Sequence, residues 1–219
     1  MSTEETGGVG RAGEDRGLAM AVNLARVARE FGMTREGVAR LSTAHALAMA
    51  PRVATLRNQR HPLYLHPGHT VLVLLRDVGV ADPVVLCAAA LTESEDAELR
   101  VGREPIRSEV GRDVEALVAE VPMPGREELA EELVRAPEAV RLVALGERLD
   151  HLRHAHLRDA DDAWRRAVHE EAMRVYLPVA ERTHVRLAMR YRHWGRAFAR
   201  RLERGLDLRE EPRRRGGGR

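Results

Sequence analysis

The chain has 219 residues, 44% of them hydrophobic, a length and apolar content that support one sizeable core. Its formal charge is +2 and its 36 basic side chains are all arginine, so no strong global field argues for a nucleic-acid partner. The single cysteine, Cys87, excludes an intrachain disulfide, and no apolar run approaches the ~20 residues a membrane span needs.

Aromatic residues make up only 3%, so the core must be built from Leu, Val, Ala and Met. Such a composition predicts an all-α fold. Residues 1–17, "MSTEETGGVGRAGEDRG", lack the apolar stretch of a signal peptide and read as a disordered leader of a cytoplasmic protein. "LAMAVNLARVAREFG" carries apolar residues at a spacing near 3.6 and stops at Gly32. Thr34 then caps a second helix, which Pro51 breaks or bends. "RVATLRNQRHPLYLHPGHT" is a loop entering a helix, with Pro67 suited to the first turn. "TVLVLLRDVGV" and the segment from Asp82-Pro83 to Leu91 are apolar almost all round, which predicts two buried helices.

The acidic stretch "ALTESEDAEL", residues 90–99, follows and forms a loop with "RVGREP". "IRSEVGRDVEALVAEV" is amphipathic, and "PMPG" ends it. "REELAEELVRA" is short and highly charged, and "PEAVRLVALGERLDHLRHAHL" is long. "DADDAWRRAVHEEAMRVYLPVAERT" has an acidic start that suits the helix dipole. "VRLAMRYRHWGRAFARRLERG" closes the domain, with Leu187, Met189, Trp194, Phe198 and Leu202 expected to face inward. The tail, residues 207–219, is Arg- and Gly-rich and reads as disordered. The expectation is one helical domain over residues 18–206.

Five segments resemble, in order, the HD-domain hydrolase half of the RelA/SpoT alarmone enzymes and the stand-alone small alarmone hydrolases. The family loop "R-K-x-G-x-P-Y-x-x-H-P" is matched by "RNQRHPLYLHP", residues 57–67. The family's "A-x-L-L-H-D-T-x-E-D-T" is matched by "AAALTESEDAE". Its "F-G-x-x-V-A-x-L-V-x-x-V-T-K" is matched by "VGRDVEALVAEVPM", and its "L-A-D-R-L-H-N-M-R" by "LGERLDHLR". "YLPVAERT" matches "Y-A-P-L-A-x-R-L". The resemblance implies an HD-type helical fold that hydrolyses the 3′-pyrophosphate of guanosine tetra- or pentaphosphate. It implies one Mn²⁺, held by imidazole and carboxylate ligands, that polarises the phosphoryl group and activates water.

Carried over residue by residue, the family's first ligand histidine falls on His66, its His-Asp pair on Thr92 and Glu93, and its late Asp on Glu147. One imidazole is therefore lost, and two aspartates are replaced by the longer glutamate. The family's catalytic Glu-Asp falls on Glu95 and Asp96 if one residue is missing after Ser94, and on Asp96 and Ala97 otherwise. The nucleotide-contacting positions fall on Arg57, Asn58, Arg148 and His151, with Asn58 in place of a Lys and His151 in place of an Asn.

Several features carry a bland reading beside the sharp one. The acidic stretch reads either as a solvated loop or as part of a pocket. Glu147, Asp150, His151 and His154 share a helix face that can be an ion-pair surface or a replacement metal site. The Arg-rich last helix reads as a solvated face or as an anionic-surface binder. The expected function is a degenerate homologue of the alarmone hydrolases, catalytically impaired, that binds a phosphorylated guanine nucleotide or a protein partner, or forms a homo-oligomer. The alternatives are an active metal-dependent phosphohydrolase with remodelled ligands and a structural or RNA-associated helical protein. No metal is the expected state for the impaired form, and Mn²⁺ for the active one.

Overall fold

The computed structural model describes residues 8–203 except 57, 59, 126 and 127, with side chains described from Arg16 onward. Among the described residues there is no strand, and the all-α expectation holds. The opening helices are α1 (Gly8–Glu30) and α2 (Arg35–Thr55). α3 (His66–Leu72) continues into π-helical turns over Val73–Val78, and α4 (Pro83–Leu91) follows. After a short 3₁₀ turn, α5 (Arg103–Pro105) runs into π turns over Ile106–Val110. Then come α6 (Arg112–Glu120), α7 (Leu129–Arg135) and α8 (Glu138–His154). α9 (Asp162–Glu171) passes through π turns over Ala172–Tyr176 into α10 (Leu177–Thr183), and α11 (Val185–Glu203) is last.

α4 is the central helix because nothing on it is polar. Asp82 starts it by accepting from the Val84 amide at 2.8 Å, an N-cap ahead of Pro83. Val85 through Leu91 are buried, and the helix packs against α2, α3, α6 and α8. Each fully buried Leu or Val there contributes about 1.5–3 kcal/mol of transfer free energy. Cys87 lies wholly inside, and burial pushes its thiol up to about 12, so it is an inert core residue.

α8 is the second pillar. Gly146 lets it approach the chain that follows α3, since a Cβ there would meet a Leu74 methyl at 2.8 Å. α11 is tied across it by the Tyr191 hydroxyl donating to the Leu145 carbonyl and the Trp194 indole donating to the Leu152 carbonyl, both at 2.8 Å.

Four expectations are corrected. α1 begins at Gly8, earlier than the apolar spacing from Leu18 indicates. Pro51 does not break α2 but lies inside it, one turn before its end. The amphipathic segment from Ile106 is two pieces, because Gly111 adopts φ +132 and redirects the chain. On α11, Met189 is 59% exposed and Tyr191 is buried in its stead. Tyr191 lies four residues after Leu187 and shares its face, whereas Met189 lies two after it and points away. The expected leader through residue 7 and the tail from 207 lie outside the described residues.

Candidate functional site

The end of α4 delivers the acidic stretch onto α8. Thr92 spends its hydroxyl on the Ala88 carbonyl of its own helix at 2.8 Å. Glu93 turns inward and is 3% exposed. Its Oε1 accepts the backbone amides of Glu95 and Asp96 at 3.0 and 3.1 Å, so the side chain shapes its own turn. Its Oε2 meets Arg52 of α2 at 2.6 Å. Arg100 closes the loop from outside, donating to the Glu93 carbonyl at 2.8 Å and the Ser94 carbonyl at 3.0 Å.

Arg52 is itself only 1% exposed and also donates to the carbonyls of Ala48 and Leu63. Burial lowers its proton affinity, and the Glu93 charge works against that loss. The pair is a buried, hydrogen-bonded ion pair. Nothing in the sequence reading singled out Arg52. The signal available was its position four residues after Ala48 on the apolar side of α2.

Across from Glu93, α8 presents Glu147 and His151 one turn apart, and α3 presents His66. Glu147 Oε1 accepts from the Ser94 amide at 2.9 Å and the Ser94 hydroxyl at 2.6 Å, and contacts His151 Nε2 at 2.9 Å. Burial alone would raise the Glu147 pKa. The His151 charge and hydrogen bond, with His66 and Ser94, outweigh it and hold the carboxylate down to about 2. Burial pulls His151 the opposite way, and Glu147 overrides it, so the imidazole is raised above its ordinary value. The His66 and His151 rings lie 4.1 Å apart. His66 Nδ1 meets Asp150 Oδ2 at 2.7 Å, and His66 Nε2 is 3.8 Å from Glu147 Oε1.

At the rim, Glu95 is held by three cationic or donor groups. Arg148 Nη1 meets its Oε1 at 2.8 Å, His151 Nδ1 lies 3.4 Å from its Oε2, and Arg158 also pairs with it. Arg148 donates its other Nη to Glu171 at 2.8 Å and lies over the Tyr176 ring. Arg158 stacks toward Trp164.

The structure thus brings together His66, Glu93, Glu95, Glu147, Arg148 and His151. It turns Asp96 aside, where its carboxylate caps the 3₁₀ turn through the Glu98 amide at 3.0 Å. Asn58 is exposed and caps its own loop through the Arg60 amide at 3.0 Å. Arg57 lies outside the described residues.

Two clusters place three possible metal donors within 4.8 Å of one another, and either could hold a divalent ion: His66, Glu147 and His151, and beside them His69, Asp150 and His154. The family's four-position set is not reproduced, because the Thr92 hydroxyl is committed to Ala88 and Glu93 to Arg52. In the inner cluster the second imidazole comes from His151. No helix among the described residues is long and apolar enough to cross a membrane.

The fold and site define an all-α protein with a buried imidazole–carboxylate centre. No protein-family model matches the chain, and no curated protein matches it.

Proposed function

We propose that this chain is a non-hydrolysing relative of the HD-type alarmone hydrolases that binds a phosphorylated guanine nucleotide at the rim of its buried centre. The single observation that carries the reading is Glu95. Its carboxylate sits among Arg148, Arg158 and His151, an anion surrounded by donors at the edge of a buried site. Those donors suit a phosphate group, and the guanidinium fork of Arg148 suits it in geometry as well as charge. Glu95 then acts as an internal stand-in that a phosphorylated ligand displaces.

The loss of turnover is supported by how far the inner carboxylates are already committed. Glu93 has Arg52 on one oxygen and two amides on the other, and Glu147 Oε1 already faces three donors. Glu93 therefore has no oxygen left to polarise a phosphoryl group through a metal or to take a proton from water, and on Glu147 that work is left to the other oxygen.

A calorimetric titration with guanosine tetraphosphate tests the binding site. Glu95→Gln removes the internal competitor and tightens binding. Arg148→Ala weakens it by about 10- to 100-fold, the loss of a charge-assisted contact of about 1.5–3 kcal/mol. Unchanged affinity in Arg148→Ala, or weaker binding in Glu95→Gln, rules the rim out as the site.

A second reading is favoured by the inner cluster itself. His66, Glu147 and His151 keep two imidazoles and a carboxylate within 4.8 Å, the donor set of an active hydrolase holding Mn²⁺ on remodelled ligands. Turnover of the nucleotide separates the two readings.

A further inference from the structure

We infer that the outer cluster, His69, Asp150 and His154, is a binding site for a divalent transition metal of the zinc class, separate from the inner centre. His69 comes from α3 and the other two from α8, one turn apart, so the site is built on two packed helices. Two imidazoles and one carboxylate are a donor set that zinc-class ions accept with a fourth position left open.

The difference from the inner cluster is in what the donors are already doing. At the inner centre, Glu147 and His151 bond each other, Ser94 adds two more bonds, and the side chains are 6% exposed or less. An ion there must break that network and has to enter through packed side chains. At the outer cluster, the His69 Nδ1 is buried with no hydrogen-bond partner. A buried ring nitrogen without a partner, set beside a second imidazole and a carboxylate, is a lone pair available to an ion.

The neighbouring groups are also arranged as support for ligands. Asp150 Oδ2 is anchored by His66 Nδ1 at 2.7 Å, so the carboxylate is held from behind by a fully buried imidazole. His154 Nδ1 lies 2.9 Å from the Asp150 carbonyl, a contact that selects its tautomer and leaves Nε2 with a lone pair. The His69 and His154 rings are nearly parallel with centroids 5.6 Å apart.

Access is provided as well. A cavity of about 300 Å³ opens on the three residues and is bordered by Arg76, Asp77 and Arg153. It gives an ion an entry path and leaves room for a water or an anionic group at the open position. Arg153 at that border is already paired with Asp77, which leaves Arg76 as the border cation facing the open position.

The test is titration of the full-length chain with Co²⁺, followed by its visible d–d absorption, and with Zn²⁺ by competition. The expected result is one ion per chain with the intense bands of a four- or five-coordinate site. His154→Ala, a substitution at a partly exposed position, and His69→Ala each weaken binding more than about 100-fold, beyond the usual cost of losing an outer-shell partner. Glu147→Gln leaves it within about threefold. Absence of stoichiometric binding, or binding that survives His154→Ala, overturns the inference and leaves the proposed nucleotide site standing. Binding that survives His69→Ala and His154→Ala but is lost in Glu147→Gln overturns both this inference and the non-hydrolysing reading.

Discussion

Arg52 and Glu93 show how one residue changes the meaning of another. A carboxylate is a potential metal donor only while it is free. Here a fully buried guanidinium sits 2.6 Å away, and removing either partner alone strands the other charge at a cost of about 3–5 kcal/mol. The same guanidinium acts on His45, which is buried on α2 with no partner for its Nε2. Burial, with the charge of Arg52 added, pushes His45 down to about 4 from its ordinary 6.5. The folded chain therefore holds it neutral, while the unfolded chain takes up a proton as pH falls through 6.5. Its stabilising contribution is complete above 6.5 and is lost as pH falls toward 4, by about 3 kcal/mol in all. Urea unfolding at pH 7 and pH 4.5 checks this: His45→Gln loses less stability between the two than the parent chain does. An equal loss in both would mean that His45 titrates normally in the folded state.

The same scale decides how much of the site was legible. His66, Glu93, Glu95, Glu147, Arg148 and His151 were legible through the resemblance of short motifs to the alarmone hydrolases, whose site positions fall on them. Asp150 was visible as part of a mixed helix face but not as the partner of His66, since that contact joins residues 84 apart. Arg52 was invisible for the same reason and because it is one of many arginines. Asp96 belongs to the acid cluster in sequence, and in space it caps a turn.

At the scale of elements, the buried helices were legible from hydrophobic pattern alone, α4 most plainly, while boundaries and breaks were not. Gly111 looks like any residue of an amphipathic run until the backbone places it at φ +132. The π turns after α3 and α9 leave no periodicity signal, because one extra residue per turn shifts a helix face without ending it. The close approach of α8 to the π turns after α3 depends on Gly146. Gly146→Ala places a methyl group 2.8 Å from Leu74 and should cost about 1–3 kcal/mol through overpacking, despite the better helix propensity of alanine. Thermal unfolding reads this directly. A stabilised Gly146→Ala chain would mean that the two helices have slack between them.

For the whole molecule, the arrangement is a helical frame that holds three polar groupings along α8, an inner shell, a rim and an outer cluster. The inner shell is closed on itself by ion pairs, the rim offers arginines already satisfied by a displaceable carboxylate, and the outer cluster opens to a cavity. Under the proposed function, such a frame binds a nucleotide without turning it over. The most direct test is a single-turnover measurement of pyrophosphate release from guanosine tetraphosphate, with protein in excess and Mn²⁺ present. The account predicts release no faster than in buffer, even when all of the nucleotide is bound. Release that is abolished by His66→Ala or Glu147→Gln would contradict it and establish the inner centre as a working active site.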